Sequence, residues 1–277
     1  SRSLRTSRRS RKLALPLSKA SVPSVCDRLR GAALAPLLVL LGTALLPACG
    51  SSKALSTGYP SGYPEWFLEQ PQGFAVGYAR NNGYKDAAIR EATRVAATSL
   101  AMQESVTVNG GRGSIFGPFG IVLSGDLAES FSDDRVEHYY DSERVAALQH
   151  LDGMTTVLLA TRTLTDAEKD AVNGGLHQPG GDYPSWVQHL PEDQNGYTYA
   201  VGMSNRNEYE VSSWRNAERH ARFRFALNAI ADVSALDRDG KIALVEAHNV
   251  TVRGVEVVKR WRDPRDGGCF VLSRARR

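Results

Sequence analysis

The chain has 277 residues, with 34 lysines and arginines against 30 aspartates and glutamates, and a formal net charge of +4. Nine of the basic residues but only one acidic residue lie in 1–48, so the remainder carries 25 basic and 29 acidic groups. Nucleic-acid-binding proteins carry an excess of positive charge on the binding surface. The composition of the remainder therefore argues against a nucleic-acid partner.

The first predicted element is an apolar run over residues 31–46, which follows a basic segment and ends at Leu46-Pro47-Ala48-Cys49. Its length is short for a membrane-spanning helix but typical of a secretory signal. The segment Leu46-Pro47-Ala48-Cys49 resembles the end of a bacterial lipoprotein signal (the lipobox). In such signals the cysteine is lipidated and becomes the mature N-terminus. We expect a signal peptide in 1–48 and a flexible tether in 49–62. The alternative is an uncleaved signal or a plain anchor helix.

The number and positions of the cysteines argue against an intramolecular disulfide framework. Cys26 lies in the expected signal, Cys49 is the expected lipidation site, and Cys269 is then left without a partner. Cys269 falls in a predicted strand, and no histidine is near it in sequence to lower the pKa of its thiol. We expect a buried structural thiol rather than a nucleophile.

After the tether, the pattern predicts a strand over 73–79 and a helix from 84 to about 103, since small and apolar residues recur every three or four positions in the second segment. A strand is predicted at 105–108. Segments 135–148 and 154–160 are predicted to form a hairpin around Asp152-Gly153, because this dipeptide is typical of tight turns.

A glycine-rich segment over 110–125 lies between these elements. It is predicted to be a loop, and its apolar residues make it the candidate partner-docking segment: Ile115, Phe116, Phe119 and Ile121. Flexible loops with exposed apolar side chains suit docking on a partner or a membrane surface. The alternative is a pair of strands that packs on the neighbouring unit.

The chain then repeats itself. Tyr63-Pro64-Glu65-Trp66 matches Tyr183-Pro184-Ser185-Trp186, and Ala75-Val76-Gly77 matches Ala200-Val201-Gly202 at an offset of 125. Residues 208–228 repeat the helical spacing, and strands are predicted over 197–202, 248–261 and 269–272. A fixed offset over many positions indicates duplication of one folding unit.

The predicted fold class is α+β, with two tandem units that each have an antiparallel sheet and one main helix packed on it. The units are expected at 63–164 and 183–277. Between them, a linker at 165–182 contains a short helix, because Thr165 and Glu168 form a capping-box pattern.

These residues resemble the LPP-twenty lipoprotein family and the related N-terminal domain of the flagellar T-ring protein FlgT. The resemblance is carried by the Pro-Xaa-Trp elements, the Ala-Val-Gly strands, and the Ala-rich helices at 92–96 and 217–221. It implies a lipoprotein of the cell envelope with an assembly or scaffolding role, and no catalytic residues or cofactor.

The sequence contains no strong catalytic or metal-binding motif. Asp133, Asp134, Glu137 and His138 are more typical of a solvated turn than of a metal site, so we expect no metal. The favoured function is a non-catalytic lipoprotein of the outer membrane that faces the periplasm and binds other envelope proteins, with homo-oligomers left open. One alternative is a periplasmic ligand-binding module or hydrolase with a site between the two units. Another is a flagellar or secretion-ring component.

Overall fold

The computed structural model describes residues 61–116, 120–178, 180–231 and 245–277, with the backbone alone at 111–116, 120–126, 231 and 245–248. The expected signal, Cys49 and Phe119 lie outside these residues. The described residues all belong to one compact unit.

Helices and strands are mixed along both halves of the chain. The first half contains β1 (Tyr63–Pro64), α1 (Glu65–Leu68), β2 (Phe74–Arg80), α2 (Lys85–Glu104), β3 (Val106–Phe116), β4 (Gly120–Ser130), α3 (Asp133–Ser142), β5 (Arg144–Leu151) and β6 (Met154–Ala160). The second half contains α4 (Asp166–Val172), β7 (Leu176–His177), α5 (Ser185–Gln188), β8 (Tyr197–Ser204), α6 (Glu210–Ala231), β9 (Val245–Val252), β10 (Glu256–Arg262) and β11 (Cys269–Arg276).

The strands form three three-stranded sheets and one two-stranded sheet, with the orders β2-β6-β5, β10-β11-β8, β4-β3-β9 and β1-β7. Every strand pair of the described chain is antiparallel. The predicted α+β class is therefore confirmed.

The two sheets that bear the repeated motif have the same strand order. In the first half β2 pairs with β6 and β6 with β5, and in the second half β8 pairs with β11 and β11 with β10. The helix that follows the first strand, α2 or α6, packs on the sheet of its own half. Residues that match at the offset of 125 therefore occupy the same place in both sheets.

The matched glycines set how closely each helix lies on its strand. A Cβ added at Gly77 would lie 1.9 Å from the carbonyl oxygen of Ala92 and 2.4 Å from the amide nitrogen of Ala96. The same two distances would separate a Cβ added at Gly202 from two atoms of α6: Ala217 O and Ala221 N. Only glycine permits this contact between a helix backbone and a strand.

The expectation of two separate domains is not confirmed, because the halves share a core. One cluster of buried residues joins Trp66 and Phe74 of the first half to Trp214 and Val271 of the second. Farther along α6, Phe223 belongs to a cluster built on β3 and β9. Helix α6 thus packs on elements of both halves. A single apolar stripe predicts that a helix is buried, but it does not say against how many sheets.

The segment predicted as the docking loop forms the hairpin β3–β4. Ile115 pairs with Ile121 across the hairpin, and Phe116 pairs with Gly120. The other edge of β3 pairs with β9 of the second half. The strand-pair alternative therefore describes the backbone of this segment, and the loop prediction is wrong.

The strand predicted to begin at residue 135 is also wrong, because residues 133–142 form α3. Ser132 caps this helix by accepting a hydrogen bond from the amide of Arg135, and acidic residues occupy its first turn. Val136, Tyr139 and Tyr140 lie at helical spacing and pack on the α2 cluster. The rest of the hairpin, β5 with β6 around Asp152-Gly153, is confirmed.

The two repeated tryptophans differ in burial. Trp66 is 2% exposed in the shared core, whereas Trp186 is half-buried and α5 buries Val187 instead. The capping box at Thr165 is confirmed at the start of α4. Cys269 is fully buried, and burial raises the pKa of its thiol well above the usual value.

Candidate functional site

A cleft lies between α2 and α6 and is lined by one stripe of each helix. On α6 the lining residues fall at helical spacing: Arg215, Glu218, Arg219 and Arg222. On α2 they do the same: Glu91, Val95, Thr98 and Met102. The cleft has a volume of about 450 Å³, and Tyr78 of β2 is part of its lining. This size is in the range of sites for small organic ligands.

The inner wall of the cleft holds an ion pair that is largely buried. Arg222 donates from Nε to Oε1 of Glu129 at 2.6 Å and from Nη2 to Oε2 at 3.1 Å. A second guanidinium approaches the same carboxylate, because Nε of Arg219 lies 3.7 Å from Oε2 of Glu129. The carboxylate of Glu129 is therefore shared by two guanidiniums, of Arg219 and Arg222.

The rim of the cleft is formed by exposed ion pairs. Nη2 of Arg215 donates to Oε1 of Glu91 at 3.3 Å and joins α6 to α2. Arg94 donates to both carboxylate oxygens of Glu137, at 2.8 and 3.4 Å, and this interaction raises the pKa of its guanidinium. Exposed pairs of this kind contribute little to stability. Their side chains can therefore be rearranged by a ligand at small cost.

Glu218 faces a different, fully buried partner. Its Oε1 accepts hydrogen bonds from Nη2 and Nε of Arg260 on β10, at 2.8 and 3.2 Å. Arg260 also donates to the carbonyl oxygen of Phe67 and to Oε1 of Gln70. The side chains of Arg260 and Glu218 are 1% and 6% exposed. The charge of Glu218 is thus neutralised behind the cleft.

Tyr78 is the exception to this complete pairing. Its side chain is fully buried, and its hydroxyl has no hydrogen-bond partner among the residues that the structure describes. Burial, and then the nearby charge of Glu218, raise the pKa of this hydroxyl well above its usual value. The hydroxyl therefore keeps its proton at neutral pH. A buried polar group without a partner is rare in folded proteins and requires an explanation.

A second cavity of about 350 Å³ lies beside Tyr63 and Arg262. Here the hydroxyl of Tyr63 and Nε1 of Trp214 both donate to Oε1 of Glu210, at 2.5 and 2.9 Å. Nη1 of Arg262 lies 3.2 Å from Oε2 of the same carboxylate. Every member of this network contacts Glu210, so its evident role is to hold β1 and β10 on the start of α6.

The sequence did not single out the cleft. No role was predicted for its arginines and glutamates, and Tyr78 was expected only as part of the strand at 73–79. The available signal was the recurrence of Arg90 and Arg94 as Arg215 and Arg219 on the two repeated helices, at the offset of 125. Of the residues that were singled out, Ile115, Phe116 and Ile121 lie on the backbone of the β3–β4 hairpin. Cys49 and Phe119 lie outside the described residues.

Within the described ranges, no three His, Cys, Asp or Glu side chains are grouped as a metal site requires. Asp133, Asp134 and His138 lie on α3 with Glu137, which pairs with Arg94. No helix in the described part of the chain combines the length and hydrophobicity needed to cross a membrane. Comparisons with protein-family models, with curated proteins and with solved structures gave no match.

Proposed function

We propose that this chain is a lipid-anchored protein of the cell envelope, held in the outer membrane by Cys49, that faces the periplasm and binds other envelope components without catalysing a reaction. The apolar run at 31–46 and the box that ends at Cys49 support the anchor. The LPP-twenty resemblance supports an assembly role.

The chemistry of the cleft between α2 and α6 is the observation that supports a binding role. Its ionisable groups are guanidiniums, carboxylates paired with them, and a tyrosine hydroxyl that keeps its proton. Guanidiniums stay protonated in proteins, so they do not exchange protons with a substrate. Groups of this kind recognise charge and shape, which favours binding over proton-transfer chemistry.

The sheet edge at β5 supports docking of a protein partner. Within the described residues, strand β5 pairs with β6 only, and its Val145 and Leu148 are 47% and 41% exposed. A bulge between Val145 and Ala147 shifts the register, so that Val145 lies opposite Leu159 and Leu148 opposite Val157. Leu159 and Val157 share one face of β6 because they are two residues apart. The bulge thus places both exposed apolar residues of β5 on one face of the sheet. At this edge the backbone groups of β5 that do not pair with β6 can pair with a strand of a partner protein.

The lipid anchor is tested by replacing Cys49 with serine. We expect the Cys49→Ser protein to move from the membrane pellet to the soluble periplasmic fraction, because serine cannot carry the thioether-linked lipid. The measurement is fractionation followed by immunoblotting, with Cys26→Ser as the matched control that should stay in the pellet. If Cys49→Ser protein remains in the pellet to the same extent as the control, the anchor is not a lipid on Cys49.

A second candidate function is a periplasmic module that binds a small ligand between the two halves. The buried hydroxyl of Tyr78, without a described partner beside the cleft, favours it. This function does not exclude the first one, because a tethered assembly protein can also carry a ligand site.

A further inference from the structure

The described charges around the cleft do not balance. Four carboxylates, of Glu91, Glu129, Glu137 and Glu218, face five guanidiniums, of Arg94, Arg215, Arg219, Arg222 and Arg260. Arg219 makes the longest of these ion pairs, at 3.7 Å, to a carboxylate that Arg222 already contacts at 2.6 Å. One positive charge is therefore in excess, and Arg219 is the guanidinium with the weakest partner.

Tyr78 supplies a donor in the wall of the same cleft. Tyr78 and the α6 stripe with Arg219 line the cleft together, and the hydroxyl of Tyr78 has no hydrogen-bond partner among the described residues. A neutral hydroxyl that donates to an anionic oxygen forms a stronger hydrogen bond than one that donates to a neutral acceptor. An anion in the cleft would thus satisfy both the free donor and the excess guanidinium.

The cleft is larger than a lone inorganic ion needs, and part of its wall is apolar. Val95 and Met102 of α2 line it together with the aliphatic stems of the arginines. A ligand that fills about 450 Å³ would place an apolar portion against this wall. The geometry therefore favours an organic anion over phosphate or sulfate alone.

We propose that the cleft between α2 and α6 binds a small organic anion, a carboxylate or phosphate with a short apolar chain, through Arg219, Arg215 and the hydroxyl of Tyr78. This inference rests on the second candidate function and deepens it. It does not depend on Cys49, so failure of the lipid anchor and failure of the anion site are distinguished by separate variants.

The test is a calorimetric titration of the full chain in detergent with hexyl phosphate, inorganic phosphate and hexanol. We expect hexyl phosphate to bind more tightly than inorganic phosphate, and hexanol not to bind. Tyr78→Phe and Arg219→Gln should each weaken the binding of hexyl phosphate by about tenfold, the loss of one charge-assisted hydrogen bond. Arg253→Gln, at an exposed position between β9 and β10 that does not line the cleft, is the matched control and should leave the affinity unchanged.

A second readout separates a ligand-binding hydroxyl from a structural one. Without ligand, Tyr78→Phe should keep the melting temperature or raise it by roughly 2–4 °C, because it removes a buried polar group without a described partner. A lower melting temperature would show that the hydroxyl has a structural partner and would overturn the proposal. No binding of hexyl phosphate, equal affinity in all variants, or equal affinity for inorganic phosphate would each overturn it as well.

Discussion

Replacing Gly77 with alanine is expected to destabilise the protein by about 3 kcal/mol or more, at the upper end of what overpacking costs. The new Cβ would lie 1.9 Å from the carbonyl oxygen of Ala92. This neighbour is helix backbone, so rotation of a side chain cannot relieve the overlap. Helix α2 must move away from β2 and lose part of its packing on the sheet. Gly202→Ala should have the same effect through Ala217 on α6.

The free energy of unfolding from urea denaturation measures both effects. The matched control is Gly181→Ala, because a Cβ at Gly181 would meet no atom within 4 Å. Its effect should stay within about 0.5 kcal/mol, as at other open surface sites. If Gly77→Ala cost no more than Gly181→Ala, the close approach of helix to strand would be wrong.

The second large effect is expected for Arg260→Met. This change leaves the carboxylate of Glu218 buried without its cation, and removing one partner of a buried pair costs about 3–5 kcal/mol. The adjacent residue offers the control: Lys259 forms an exposed pair with Glu69 at 2.8 Å, and its side chain is 38% exposed. Lys259→Met should therefore cost less than about 1 kcal/mol.

A double variant tests the origin of the loss. Replacing Glu218 by leucine together with Arg260→Met removes both charges, and apolar pairs in place of buried ion pairs are often neutral or stabilising. We expect the double variant to recover most of the stability that Arg260→Met loses in thermal and urea unfolding. A double variant as unstable as Arg260→Met would show that the lost bonds to Phe67 and Gln70, rather than the bare carboxylate, explain the cost.

The local elements could be predicted from the sequence where one strong pattern decides them. The alanine spacing of α2 and α6, the Asp152-Gly153 turn and the capping box at Thr165 depend on neighbours within a few residues. The error at α3 also has a local origin. Its segment Val136-Glu-His-Tyr-Tyr140 has the branched and aromatic residues typical of strands. Ser132, a typical helix N-cap residue followed by two aspartates, was the signal that indicated a helix instead.

The arrangement of the elements could not be predicted in the same way. The pairing of β3 with β9 joins residues about 140 positions apart, as Thr107 with Thr251, and no local pattern encodes it. The same holds for the contact of Glu218 with Arg260 and for the cleft beside Tyr78. These features arise because α6 packs on both halves, whereas the repeat predicts only its packing on one sheet.

The shared core makes the two halves one cooperative unit around α6. Hydrogen exchange measured by mass spectrometry in increasing urea tests this most directly, with β6 reporting on the first half and β11 on the second. We expect both strands to lose protection at the same urea concentration, and Gly77→Ala to lower that concentration equally for both. Loss of protection in β6 alone, with β11 unchanged in Gly77→Ala, would contradict the shared core.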